Sequence, residues 1–375
     1  MVERTLLSRI QSKLGDRKAI IVQGARQTGK TTLIRAVLAG NQNVLWVNGD
    51  VVSDQSLWGS NLTPSQLRQY LSGYTYLVID EAQRINNIGL TAKIIIDEAL
   101  GVQPILSGSS TLDLASSVNE PLTGRKWSYE LYPLTWAELV AHYKLYPVLR
   151  ELDVRLVLGA YPEVVTATNE VERRLEEITS SYLYKDILDY GDVRKPELII
   201  QLLRALAYQV GAQVSYNELS NLLQVNNETV RRYIQLLEES YVIFRLEPLS
   251  TNPRKEISTS RKIYFVDNGI RNALIGNLSP LQQRNDQGLL WENFIVSEVY
   301  KRRRHLGQRG SLHFWRSRDG AEVDLIVAQD GSYRAYEIKY NPRKMGRFAT
   351  AFRERYAPEV LQTINRANFH ELLLV

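Results

Sequence analysis

Residues 18–31 read Lys18-Ala19-Ile20-Ile21-Val22-Gln23-Gly24-Ala25-Arg26-Gln27-Thr28-Gly29-Lys30-Thr31. An apolar run of strand length meets a loop with glycines at both ends, and Leu33, Ile34, Val37 and Leu38 then recur at helical spacing. Strand, glycine loop and helix in that order form a phosphate cradle: backbone N–H groups curl round phosphate oxygens at a helix N-terminus, where the helix dipole also favours negative charge. The spacing Gly24-x4-Gly29-Lys30-Thr31 is that of a nucleotide-binding phosphate loop. It makes Gly24, Ala25, Arg26, Gln27, Thr28, Gly29, Lys30, Thr31 and Thr32 the expected ATP-binding residues, with Lys30 reaching the β- and γ-phosphates and Thr31 ligating Mg2+.

A second motif supports the first. Tyr76-Leu77-Val78-Ile79 is a buried-strand pattern that ends in Asp80-Glu81. Both carboxylates are therefore expected at the C-terminal edge of the sheet, Asp80 holding the Mg2+ shell and Glu81 polarising the attacking water. Further apolar runs at Val44–Val47 and Pro104–Leu106 alternate with helical stretches, as in a parallel sheet covered by helices. After the last of these runs come Ser107 and Ser109, in a segment that resembles the polar sensor of AAA+ ATPases: either a sensor for the γ-phosphate or simple capping serines. Arg125 is either a charge-stabilising arginine, in its own subunit or a neighbour's, or a structural one.

Composition narrows the chemistry. The 375 residues suggest two or three domains, and the chain has no cysteine, which removes disulfides, thiolate zinc sites and iron–sulfur clusters. His142, His305, His313 and His370 are widely scattered. Catalytic metal is thus expected on carboxylates and phosphates, pointing to Mg2+. The sequence has no long uncharged apolar run, and the expected location is cytoplasmic without membrane association. Net charge is +5, and residues 288–375, with fifteen Lys/Arg against ten Asp/Glu, carry a surplus of the same size. That distribution favours a polyanion partner, DNA above all, at the C-terminal end.

Together the phosphate loop and the Asp80-Glu81 strand resemble the AAA+ superfamily. The order Gly24–Thr31, Asp80-Glu81-Ala82-Gln83, Leu106–Ser110, Leu122–Arg125, Tyr132–Trp136, Gly159–Glu163, Tyr182–Ile187 and Tyr264–Ile270 is similar to a prokaryotic family of AAA-type ATPases. These carry a C-terminal domain of unknown function that is nuclease-like, and the resemblance runs over nearly the whole chain. The expected class is α/β: an AAA+ P-loop core over 1–145, a helical lid over 146–195, a winged helix over 196–250, a linker over 251–287, and a nuclease-like domain over 288–375. In the winged helix a third helix is expected from about Asn226, burying Val230, Tyr233, Ile234 and Leu237 and leaving Arg231, Arg232 and Gln235 outside.

The C-terminal segment reads as helix (Leu289–Arg304), three strands (Leu312–Arg316, Glu322–Val327, Tyr333–Tyr340), helix (Arg347–Tyr356) and a last strand (Glu371–Val375). That αβββαβ order is the core of PD-(D/E)xK nucleases. Asp324 and Glu337 are the expected ligands of one or two Mg2+ ions, and Lys339, two residues from Glu337 and so on the same strand face, is expected to orient water or steady the developing charge. Glu292, in Trp291-Glu292-Asn293-Phe294, is the helical partner with Glu298 in reserve. Lys301-Arg302-Arg303-Arg304 either complements the helix dipole or contacts phosphates. The expected function is an ATPase coupled to binding or processing of duplex or branched DNA, with a homo-oligomer following if Arg125 acts in trans. Its alternative is an ATP-controlled regulatory or defence switch that binds without cutting.

Overall fold

The computed structural model describes residues 1–109, 121–183, 195–250, 261–317 and 319–374. Ser110, residues 184–187 of the Tyr182–Ile187 motif, and residues 251–260 of the expected linker lie outside the described residues. The chain divides into two compact units, Met1–Tyr132 with Glu239–Tyr241, and Pro133–Glu238 with Val242–Val375.

In the first unit five strands, β1 (Ala19–Gln23), β2 (Val44–Asn48), β3 (Tyr76–Asp80), β4 (Gln103–Gly108) and β5 (Lys126–Glu130), form one sheet in the order β2-β3-β4-β1-β5. Every neighbouring pair is parallel. Alternate residues feed two cores: Ile20, Val22, Val78 and Ile105 pack on one face, Ala19, Ile21, Leu77, Ile79 and Leu106 on the other. Burial on both faces explains why these strands read as continuous apolar runs. It also brings the C-terminal ends of β1, β3 and β4 to a common edge.

The second unit holds a seven-stranded sheet, β12-β11-β10-β9-β7-β8-β6. Its strands are β6 (Gln213–Val214), β7 (Ile243–Pro248), β8 (Arg261–Phe265), β9 (Ser311–Arg316), β10 (Glu322–Gln329), β11 (Ser332–Ile338) and β12 (Val360–Ile364). The helices Pro196–Tyr208, Tyr216–Leu223 and Asn227–Glu239 precede β7, and the last buries Val230, Tyr233, Ile234 and Leu237 while Arg231, Arg232 and Gln235 stay exposed.

Three expectations fail here. Residues 261–287, the described part of the expected linker, are not one: β8, a buried helix Asn268–Leu274 and a short turn Leu281–Gln283 lie within them. Because β7 pairs antiparallel with β8 and parallel with β9, the middle and C-terminal segments share one sheet. The helices after residue 145, expected as a lid, are not part of the first unit. They belong to the second, where helix Asn268–Leu274 packs on helix Leu152–Leu158. The Asn272 amide donates to the C-terminal end of that helix, 2.8 Å from the Val157 carbonyl, and the Asp267 carboxylate accepts from the Ala160 N–H at 2.7 Å. Finally, the last strand is Val360–Ile364, parallel to β11, and Phe369–Leu374 is a helix. Phe369 and Leu373, one turn apart, are its buried residues.

Candidate functional site

The phosphate loop depends on backbone that only glycine supplies. Gly24 has φ 156°, and a Cβ there would stand 2.0 Å from the Leu131 carbonyl oxygen; Gly29, at φ 94°, turns the chain into helix Lys30–Val37. The buried Lys30 ammonium donates to the carbonyls of Gly24 (2.8 Å) and Ala25 (3.0 Å), so it already lies along the loop. The Thr28 hydroxyl donates to the Ala25 carbonyl at 2.8 Å. From the N-terminal segment Arg4, 8 % exposed, reaches the Thr28 carbonyl at 2.8 Å and the Tyr132 carbonyl. Sequence reasoning passed over Arg4, since a lone arginine near a chain start carries no motif.

At the sheet edge the Thr31 hydroxyl donates to Asp80 Oδ2 at 2.7 Å, and the Ser107 hydroxyl donates to Asp80 Oδ1. Of the two candidate sensor serines, Ser107 therefore meets Asp80. Ser109 lies 3.2 Å from the Gln83 amide, which also donates to Glu81 Oε2 at 2.7 Å. Glu81 itself sits in the left-handed region at φ 50°, ψ 45°. That conformation costs a non-glycine residue on the order of 1–3 kcal/mol and collects at functional sites. Gly49, at the end of β2, leaves the room: a Cβ there would come within 2.2 Å of the Glu81 carbonyl oxygen. Gly49 and Gln83 had no spacing signal of their own, although Gln83 stands inside the quoted Asp80–Gln83 motif.

Arg125 is not brought to this edge within its own chain. Its carbonyl accepts from the Ala19 N–H, at the opposite end of β1 from the phosphate loop, and its guanidinium pairs with Asp97 at 2.6 Å. Five residues of strand separate the two ends, roughly 17 Å at ~3.3 Å per residue.

In the second unit a second polar constellation forms. β10 and β11 are antiparallel with Leu325 opposite Tyr336, so the next step of the same register sets Asp324 opposite Glu337. The β9–β10 register slips between Val323 and Ile326, an irregularity that re-aims side chains beside it. Lys339 Nζ lies 2.6 Å from Glu337 Oε2 and 3.2 Å from Asp324 Oδ2, and the Ile338 N–H donates to the same Asp324 oxygen at 2.7 Å. Glu337 Oε1 is buried with no hydrogen-bond partner. Burial, and then the neighbouring Asp324 charge, push the Glu337 carboxyl up to about 7 against the pull of Lys339. Glu292, from helix Gln287–Leu306, accepts from the Tyr264 hydroxyl at 2.8 Å and from Lys262 at 3.2 Å. Burial raises its carboxyl too, with Lys262 opposing and Asp324 adding to the rise. Lys262 also pairs with Glu322. Asp324, Glu337 and Lys339 thus meet as the sequence suggests, with Glu292 at the margin through Lys262, a residue from β8 that the sequence reading placed in a linker.

Glu298 is excluded as the helical partner. It is 4 % exposed, accepts from the Trp136 N–H at 2.7 Å and pairs with Lys301 at 2.6 Å, away from Asp324. Lys301 is consequently removed from the basic cluster: at 1 % exposure it meets a carboxylate inside the protein and no external phosphate. Among the described residues no three His, Cys, Asp or Glu side chains converge as a ready-made metal cage. No helix of the described residues is long and apolar enough to cross a membrane.

Three segments of the chain match family models. Residues 16–140 match a family model described as an AAA domain, residues 149–281 one described as a domain of unknown function (DUF8612), and residues 287–370 another domain of unknown function (DUF4143). An uncharacterised protein of Mycobacterium bovis is 28% identical over 343 residues, 90% of this chain and 73% of that one. One of Haemophilus influenzae is 25% identical over 349 residues, 85% of this chain and 80% of the relative. Among solved structures, the signal-transduction ATPase PH0952 of Pyrococcus horikoshii aligns with 82% of this chain and 48% of its own at 12% identity, with a TM-score of 0.27 that carries no functional argument. The chain is an ATPase whose catalytic domain, residues 16–140, is an AAA-type P-loop domain, joined to a C-terminal domain of unknown function.

Proposed function

We propose that this ATPase couples MgATP hydrolysis to the binding or processing of duplex or branched DNA by a PD-(D/E)xK-like C-terminal domain. The observation that carries this reading is the meeting of Asp324, Glu337 and Lys339 on neighbouring strands, inside the order helix Gln287–Leu306, β9, β10, β11, helix Thr350–Tyr356, β12. The segment before it, in the order helix, β6, helix, helix, β7, β8, with β6 and β7 both antiparallel to β8, is read as a winged helix. Its exposed Arg231 and Arg232 face either DNA or a neighbouring subunit.

At the ATP site, Lys30 exchanges its two carbonyl partners for phosphate oxygens, and the loop N–H groups hold the remaining phosphate charge. The Thr31 hydroxyl and Asp80, already 2.7 Å apart, fit a Mg2+ ion between protein and phosphates. Such an ion supplies neutralisation of the charge that develops on the β- and γ-oxygens. Glu81 takes the proton of the attacking water once Gln83 releases it. Ser109, hydrogen-bonded to Gln83, senses the γ-phosphate through that contact, and Arg125 acts across a subunit boundary in a homo-oligomer.

At the second site the unpartnered Glu337 oxygen and its strand neighbour Asp324 fit one divalent cation, the rest of whose shell is water and phosphate. Bound there, the ion polarises a phosphodiester; Lys339 orients the water. The alternative, an ATP-controlled regulatory or defence switch that holds DNA or protein without cutting, is favoured by the ion pair that Lys339 makes with both carboxylates.

The deciding experiment presents the full chain, with MgATP, to single-stranded, duplex, forked and four-way DNA, scoring ATPase and cleavage together. Binding that weakens as salt rises, with cleavage lost in Glu337→Ala and binding retained, is expected. Binding without cleavage under any metal selects the switch, and neither binding nor cleavage refutes the DNA reading.

A further inference from the structure

Lys262 is the unassigned member of the C-terminal constellation. It rises from β8, is 3 % exposed, and lays its chain beside the Phe314 ring, 5.6 Å from ammonium to centroid. Its ammonium bridges Glu292, at 3.2 Å, and Glu322. Tyr264 donates to the same Glu292 oxygen at 2.8 Å. Outside this pairing, Arg316 approaches the second Glu322 oxygen only to 3.9 Å and is itself 44% exposed. Gly211 closes another side, where a Cβ would lie 3.1 Å from Glu292 Oε1.

The two lysines of the constellation are not alike. Lys339 is 30% exposed in its side chain, against 4% for Lys262. A long, partly solvated lysine can swing off Asp324 and Glu337 when a cation or phosphate arrives. Lys262 has no such exit: its own side chain is buried and its ammonium is held between two carboxylates, and removing it would leave the half-buried Glu292 and Glu322 without that shared partner. Four carboxylates thus face one movable ammonium and one fixed one. Two-metal phosphoryl-transfer sites hold their ions about 3.5–4 Å apart on shared carboxylates. Here the carboxylates that a second ion would need are engaged by Lys262, while Glu337, whose Oε1 has no hydrogen-bond partner, is paired through Oε2 with the movable Lys339.

We propose that Lys262 is a built-in cation standing in place of a second metal, so that this constellation takes a single divalent ion, at Asp324 and Glu337. Lys262 is on this view a positioning residue: it holds Glu292 and Glu322 by charge, touches no reacting atom, and sets the metal count. The inference rests on the metal reading of the preceding section, and the test separates the two.

Nucleotide-free full chain is titrated with Mn2+, and free Mn2+ is counted by electron paramagnetic resonance. The same titration on Asp324→Asn/Glu337→Gln identifies ions belonging to this site by difference. One such ion is expected on the wild type, one on Lys262→Arg, and a second on Lys262→Met. Two site-specific ions on the wild type overturn the proposal, as does an unchanged count on folded Lys262→Met. If Lys262→Met does not fold, the wild-type count still decides: one ion upholds the proposal and two overturn it. A wild type that binds no more Mn2+ than the Asp324/Glu337 variant overturns the metal reading itself, and the role of Lys262 with it.

Discussion

Gln83 restrains the proposed catalytic base, and removing it should speed the enzyme. Its amide donates to Glu81 Oε2 at 2.7 Å and lies 3.2 Å from the Ser109 hydroxyl, all within one chain and with Glu81 and Gln83 only partly buried. A hydrogen bond to a charged group contributes about 1.5–3 kcal/mol, and partial solvation puts this one near the low end. Glu81 must give up that bond, or share it, to accept a proton from water. Since about 1.4 kcal/mol is a factor of ten in rate, Gln83→Ala should raise basal turnover by roughly threefold to tenfold, with water recovering part of the lost bond. Glu81→Gln should lower turnover at least roughly a hundredfold, as loss of a general base does. The double variant should match Glu81→Gln, because a restraint on a missing base has nothing to act on. Steady-state phosphate release at saturating MgATP measures all four proteins. A fall in turnover for Gln83→Ala with KM unchanged would refute the argument, making Gln83 a group that aims Glu81 and does not hold it back.

Three other outcomes are expected. Lys301→Met leaves the Glu298 charge buried near Glu138 without its partner, and should cost about 3–5 kcal/mol in urea unfolding, with Glu298→Gln added to it recovering a large part; a loss under about 1 kcal/mol would contradict the buried pair. The Glu337 carboxyl, held near 7 in the folded chain against 4.5 for an ordinary glutamate, contributes stability that is full below about 4.5 and lost as pH rises through about 7. In chelator, then, the wild type should lose denaturant midpoint relative to Glu337→Gln across that window, and parallel curves would show an ordinary carboxylate. Lys30→Ala should abolish ATP binding and turnover, and mixing it with Arg125→Ala should restore some activity if Arg125 completes a neighbour's site; no recovery leaves Arg125 as the partner of Asp97.

The ATP site was legible because its chemistry is local. Gly24, Gly29, Lys30 and Thr31 act through the backbone of one loop, and the apolar run before Asp80 announces its own strand end. Gln83 and Gly49 were not legible, because their effect on Glu81 depends on where β2 ends beside β3. In the C-terminal domain the Glu337-Ile338-Lys339 alternation declares one strand face, yet its meeting with Asp324 needs the β10–β11 register. Short apolar runs misled the end of the chain: Glu371–Val375 reads as a strand by hydropathy, but Phe369–Leu374 packs as a helix once helix Gln287–Leu306 offers a partner. Conversely Val360–Ile364, with only its last two residues fully buried, becomes a strand because β11 supplies a free edge. By itself the sequence determined the phosphate loop, the carboxylate pair of β3 and the residue types of the second site, all of which follow from covalent neighbours and period. Which helical carboxylate lies near Asp324, Glu292 rather than Glu298, which lysine is external, and how β7 joins two expected domains into one sheet were decided by tertiary structure. Those choices turn on burial and on charges brought together from distant segments, quantities that no local spacing encodes.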